Sequence, residues 1–184
     1  MFKTKMKWDS DKIVSLSAMS ISIITLIIFI YQTNLMSRQN YLSILPYLSL
    51  SISNSPIDGT FKLKLENHGV GPAIIESVTC IYEDKKYDLN EFDDELFTFL
   101  TSKAPELDSI KVISHSSLEK GTAIPINTSY GLLEVINSSS DYVLLSTTLN
   151  RLIEEGFHYE IIYRSIQDER WLINNDTQGP KKLD

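Results

Sequence analysis

The sequence predicts an all-β or α+β protein. An N-terminal transmembrane helix is followed by an antiparallel β-sandwich-like domain that carries one or two short helices. Three observations predict it. Residues 13–31 form an uninterrupted apolar run without a charge, Pro or Gly. Beyond residue 47, short segments alternate between apolar and polar residues, which is the period of a half-buried strand. Clusters of Gly, Pro, Asn and Asp separate those segments at short intervals, as turns do.

The apolar run, IVSLSAMSISIITLIIFIY, comes first. At about 1.5 Å per helical residue it covers roughly 28 Å, enough to cross a hydrocarbon core. Only a helix satisfies its own backbone there. The exit, YQTNLMSRQN, lacks the small-x-small pattern of a cleavage site, so the reading is a retained anchor rather than a removed signal peptide. Lys3, Lys5, Lys7 and Lys12 precede the run and only Arg38 follows closely. That asymmetry predicts a cytoplasmic N-terminus and a C-terminal domain outside the inner membrane. Ser15, Ala18, Ser22 and Thr25 share one helix face, a pattern that lets two helices approach closely in lipid. The expected partners are therefore the membrane and either a second copy or a partner transmembrane protein. The division expected along the chain is a tail over 1–12, the span over 13–31, a juxtamembrane helix or linker over 32–46, a β-rich domain over 47–174 and a polar tail over 175–184.

Within the domain, LSLSIS and FKLKLEN alternate around the turn NSPIDGT and predict a hairpin. The segment ENHGVGPAIIES then raises the question of a phosphate loop. Its glycines stand as G-x-G, but IIESVTCIYE after them reads as a strand, whereas a dinucleotide loop leads into a helix. Pro72 also removes an amide, and no Lys-Ser/Thr follows. Asn67, Gly69, Gly71 and Pro72 are therefore assigned a structural turn, with the glycines supplying positive φ or a bulge. NEFDDELFTFLTSKAP predicts a helix capped by Asn90, with Asp93, Asp94 and Glu95 in its first turn. Short extended pieces follow: Val112-Ile113, Ala123-Ile124 and residues 132–136. YVLLSTTLNRLIEEG reads as a short strand and a helical turn, with Gly156 as a C-cap. FHYEIIYRSI and RWLIN close the domain as two strands about the turn 167–169, before a polar tail. Six to eight strands are expected; the alternative is an open α+β sheet with a helix over residues 92–100 on one face.

Chemistry is sparse. The net charge of −7 argues against a nucleic-acid binder, which needs a basic face. Cys80 is the single cysteine, so an intrachain disulfide is excluded, and its apolar neighbours make it a buried small residue. No G-x-S-x-G elbow occurs. His68, His115 and His158 are far apart and follow no metal-ligand spacing, so no metal or cofactor is expected. The acids 93–95 and Glu154-Glu155 read as solvated helix ends. Tyr159, Tyr163 and Trp171 read as core, with an aromatic ligand groove as the alternative.

Several short patterns occur together: Tyr31-Gln32, Leu35-Met36 and Gln39; Leu45-Pro46-Tyr47-Leu48; Asn67 through Ala73; and Tyr163, Ser165 and Trp171. In these the chain resembles a group of uncharacterised bacterial single-pass membrane proteins. The resemblance implies a membrane anchor and a β-rich domain and carries no activity. The function expected is a non-enzymatic interaction or scaffold module on a membrane anchor. The alternatives are a membrane-perturbing effector or accessory subunit of a stress or phage-response system, and a hydrolase whose site assembles from scattered residues.

Overall fold

A computed structural model describes residues 9–175 and 179–183. The chain divides between Leu42 and Ser43 into two compact units.

The first unit is helix α1, Ser10–Leu42, whose 33 residues include none that is buried. It is long and apolar enough to cross a membrane. Its hydroxyls turn inward on the helix itself: Ser15, Ser22 and Thr25 each donate to a carbonyl one turn back, at 2.8, 2.9 and 2.8 Å. Bonded in this way, a hydroxyl carries no unsatisfied donor into an apolar medium. The helix runs past the expected span and stops four residues before Pro46.

The second unit is α+β, with sandwich-like antiparallel sheets. One sheet has the order β1-β2-β7-β5, from strands Leu48–Ser55, Thr60–Asn67, Thr128–Val135 and Ser114–His115. The other has the order β10-β9-β8-β3-β4, from Lys181–Leu183, Arg170–Asn174, His158–Arg164, Ala73–Tyr82 and Lys85–Asp88; β6, Ala123–Ile124, also pairs with β3. Ten strands thus form among the described residues. The pair Ala123-Ile124, expected as an extended piece, is β6, whereas β5 and β10, not expected, are only two and three residues long, too short for alternation to be seen. Part of the tail expected to be loose pairs as β10 with β9; residues 176–178 and 184 lie outside the described residues.

Strand β2 alternates as the sequence does, with Phe61, Leu63 and Leu65 buried. In β3 the register slips between Ile75 and Ser77, leaving Glu76 as an extra residue. A bulge shifts the phase of a strand by one. Ala73 and Ile75 before it and Val78 and Cys80 after it therefore all reach the core. A second bulge, opposite Leu63 and Lys64, lets the adjacent Leu132 and Leu133 of β7 both be buried.

Two helix assignments change. The segment 89–103 is not one helix capped by Asn90. Asp88 caps a 3-10 turn, Leu89–Phe92, by accepting from the Asn90 amide at 3.1 Å. Asp93 and Asp94 then both take left-handed φ, 58° and 57°, and helix α2 begins only at Leu96, running to Lys103. Two successive left-handed residues break a right-handed helix, and Asp tolerates that conformation better than most residues. The segment predicted as strand plus turn is instead one helix, α3, Ser139–Glu154. YVLL is β-like in isolation, but Leu145, Thr148 and Leu152 are buried at intervals of three and four, and that period governs. Ser138 donates to the Asp141 carboxylate at 2.9 Å, and the same oxygen accepts the Val112 amide at 3.0 Å. At the other end Gly156, at φ +94°, ends the helix, and Phe157 N–H reaches back to Leu152 at 2.8 Å.

Helix α3 ties the two sheets together. Its N-terminal end meets the β1–β2 hairpin, where Ser138 N–H donates to Gly59 at 3.1 Å. A Cβ on Gly59 would stand 2.5 Å from the Ser139 nitrogen, so only glycine fits this contact. Beyond its C-terminal end, the Glu155 carboxylate accepts from Tyr82 Oη of β3 at 2.6 Å.

Candidate functional site

The segment 67–72 is a clamp on the chain that enters the domain. Asn67 is 1% exposed, and its carboxamide has all four of its hydrogen bonds. Its oxygen accepts from the amides of Tyr47 and Gly69 at 3.2 and 2.9 Å. Its nitrogen donates to the carbonyls of Gly71 and Ile124 at 2.9 and 3.0 Å. The His68, Val70 and Gly71 amides donate to Tyr47 and Leu45. With Pro72 lacking an N–H, no amide from 68 to 72 is left for an anion, so this loop cannot cradle a phosphate. The glycines have a different role from the one expected. Neither Gly69 nor Gly71 is among the positive-φ residues, and neither is a bulge. Backbone lies against them: a Cβ would fall 2.4 Å from Leu45 O at Gly69 and 1.9 Å from Ile44 O at Gly71.

The other singled-out residues do not converge. His68 lies beside Glu66 at 3.4 Å, at the end of one sheet. His115, on β5, faces Glu95 at 3.0 Å and stacks on Phe97. His158 opens β8 of the other sheet. Among the described residues no group of three His, Cys, Asp or Glu side chains is placed to hold a metal ion. The acids 93–95 also separate. Burial, and then the charges of Glu119, Asp88 and Asp93, hold the Asp94 carboxyl above its ordinary range, while Glu95 turns to His115. Glu155 is held by Tyr82 and Arg151 and its carboxyl is lowered by them, the tyrosine contributing most. Ser15, Ala18, Ser22 and Thr25 lie along one face of α1.

Tyr163 and Trp171 are core residues, stacked with centroids 5.9 Å apart. Tyr163 Oη accepts the Leu48 amide at 3.3 Å, and burial pushes the phenol upward. Tyr159, four residues earlier on β8, is different: it lines a cavity.

That cavity, of about 420 Å³, occupies the inter-sheet layer at the α3 side. Strands of one sheet supply Phe61, Leu63 and Leu132, and strands of the other supply Val78, Cys80 and Ile161. Helix α3 supplies Tyr142, Ser146, Leu149 and Ile153. No Asp, Glu, Lys, Arg or His is among the lining residues. The mouth is marked by Ile52, 58% exposed, and Ile153, 47% exposed. The exposed Asn54, Asn150 and Asn175 stand with them. Asn175 is occupied, accepting from the Tyr159 amide at 2.9 Å. The carboxamides of Asn54 and Asn150 make no hydrogen bond among the described residues.

The size is in the range of small-molecule sites, about 300–1,000 Å³. An apolar void left unfilled costs about 24 cal/mol per Å³. At 420 Å³ that is on the order of 10 kcal/mol, an upper bound because the mouth is open, yet comparable to the whole stability of a typical domain. The walls cannot shuttle protons near neutral pH. Burial pushes the Cys80 thiol up to about 12 and also raises the Tyr159 phenol. Ser116 and Ser146 have no imidazole or carboxylate beside them in the lining to act as a base. The arrangement can enclose an apolar molecule.

Sequence reasoning found the clamp residues but not the cavity. Its walls come from many separate stretches of the chain, and each apolar wall residue alone reads as ordinary core. No family model matches the chain, and no curated protein matches it.

Proposed function

We propose that the protein is a membrane-anchored, non-enzymatic binding module. Helix α1 crosses the inner membrane with the N-terminus in the cytoplasm, and the β-domain is held on the far side to engage a partner. One observation carries this reading. A 33-residue helix with an uncharged apolar run over residues 13–31 and no buried residue leads into a domain whose inter-sheet cavity has no Asp, Glu, Lys, Arg or His in its wall. A helix apolar all round needs lipid or protein about it. The four lysines ahead of it, against Arg38 behind, support the orientation.

Strand β1 supports an interaction role. It is an eight-residue edge, LSLSISNS, paired on one side only, without a charge or a Pro. Edges of this kind are normally blunted by such residues, and an unblunted one accepts an added strand from another chain. The test has two parts. A reporter enzyme active only outside the cytoplasm, fused after Asp184, should be active in the intact chain; a silent reporter on an expressed fusion counts against the topology. Crosslinking from the domain in native membranes should capture a protein partner, and Ser51→Lys should reduce capture at least fivefold. Capture unchanged by that substitution removes β1 from the interface.

A further inference from the structure

We propose that the inter-sheet cavity is a lipid-binding site, taking one alkyl or acyl chain that ends in an uncharged polar group. The proposal deepens the binding-module reading and rests on it for the source of the ligand, the bilayer. Four observations lead to it.

The walls are mainly apolar on both sheets and on α3, with no acidic side chain, Lys, Arg or His among them, so a charged ligand would be stranded there and an apolar one is favoured. The space is elongated. It runs along β1 past Asn54, Ile52 and Leu50, about 13 Å at the rise of a strand. A second, separate cavity of about 200 Å³ lies beyond Leu50 and Tyr159, which wall both. A flexible chain fits such a channel better than a rigid ring system does. The mouth offers carboxamides. Asn54 and Asn150 are exposed and their carboxamides have no hydrogen-bond partner among the described residues, matching a hydroxyl or ester end, whereas no Lys or Arg is in the lining to meet a carboxylate or phosphate. Finally, the second cavity is lined by Tyr47, only five residues along the chain from the end of helix α1 at Leu42. An acyl chain resting in the channel would have its polar end between the hairpin residue Asn54 and the helix residue Asn150. Its tail would lie between Leu63 and Leu132 on one side and Ile161 on the other.

The test uses the full chain in phosphatidylcholine nanodiscs. A monoacylglycerol with a diazirine in its acyl chain is the probe, and a free fatty acid with the same diazirine is the contrast. After irradiation, adducts are mapped by peptide mass spectrometry. Adducts are expected on the peptides bearing Leu63, Leu132 and Ile161, about tenfold more with the monoacylglycerol than with the fatty acid. Excess unlabelled monoacylglycerol should suppress them at least fivefold, as should Ser146→Trp, which places an indole in the cavity. Adducts on α1 should be unchanged by either. The competitor arm needs no substitution, so the result holds even if the tryptophan variant misfolds. Wall peptides without adducts while α1 is labelled overturn the lipid site and leave the membrane anchor standing. Wall adducts without α1 adducts support the site and overturn the anchor. Wall adducts that the competitor does not reduce overturn the site as a specific one. Equal labelling by the fatty acid overturns the assignment of an uncharged end.

Discussion

The two ends of the inter-sheet layer are built from the same strands and behave oppositely. Toward the clamp, Leu65 of β2, Ala73 of β3 and Tyr163 of β8 are all 0% exposed, and Asn67 has every hydrogen bond it can make. Toward α3, the same three strands contribute Phe61 and Leu63, Val78 and Cys80, and Ile161 and Tyr159, and these line a space rather than fill it. The residue types are alike. What differs is closure: at one end backbone presses on Gly69 and Gly71, and at the other a helix bridges the sheets from one hairpin to the other. The solid end sets the register and the hollow end is free to receive something.

The sharpest way to break this contrast is at Gly71. With a Cβ placed 1.9 Å from Ile44 O, Gly71→Ala must move backbone that three clamp amides also hold. A loss of about 4 kcal/mol or more is expected, in the range where single substitutions stop a domain folding. Denaturant unfolding of the full chain in detergent, followed by far-UV circular dichroism, reads it. A midpoint near wild type would mean that the clamp is soft.

Asn67→Ala comes next. It strands two amides and two carbonyls in a buried site, and about 3 kcal/mol is expected, since each unsatisfied buried group costs about 1–3 kcal/mol and some will find water. Asn67→Asp should not rescue it, because the two carbonyls at Gly71 and Ile124 need donors.

Leu132 and Leu133 test the contrast directly. They are neighbours, both buried, but only Leu132 lines the cavity. Leu133→Ala opens a new void in packed core and should cost about 3 kcal/mol. Leu132→Ala only enlarges an existing space and should cost about 1 kcal/mol less than that, since fewer contacts are lost. Equal losses for the two variants would show that the cavity is as tightly filled as the clamp end.

These pairs also mark what could be read from the sequence. The hairpin 48–67, the strands 158–164 and 170–174 and the apolar helix were legible, because alternation or unbroken hydrophobicity extends over seven residues or more in nearly every case. Asn67, Gly69, Gly71 and Pro72 were legible as a turn. What the turn holds was not, since residues 44–47 carry no local sign that they lie against it. The bulge at Glu76 and the left-handed pair Asp93-Asp94 break periodicity within one or two residues; the first left no sign in the sequence, and the second is why the helix start was misplaced. Helix α3 was hidden by YVLL, whose four residues fit either period until Leu149 and Leu152 are included. The cavity was illegible altogether: hollowness belongs to how segments meet, and Leu63 reads the same whether its neighbour is 4 Å or 8 Å away.

The smallest expected effect concerns the bridge that keeps the hollow end closed. Tyr82 donates to Glu155, which also receives Arg151. The tyrosine and then the arginine hold the Glu155 carboxyl below its ordinary range, and the same bond, then desolvation, raises the Tyr82 phenol. The signs of the two linkages are opposite. A lowered carboxyl contributes stability that is complete above the ordinary glutamate pKa and fades as pH falls through the folded value. A raised phenol contributes stability that is complete below the ordinary tyrosine pKa and fades as pH rises through the folded value. The bridge should therefore be intact from mildly acidic to mildly alkaline pH and weaken outside it. All of these groups are exposed, so the global change should be slight. The local one should be larger: amide hydrogen exchange over residues 150–157 should speed up at both extremes, and Tyr82→Phe should abolish the alkaline limb while leaving exchange in β2 unaltered. If exchange at 150–157 proves flat with pH, α3 is held by its buried face and its N-terminal contacts, and the Tyr82–Glu155 bond takes no part in closing the cavity.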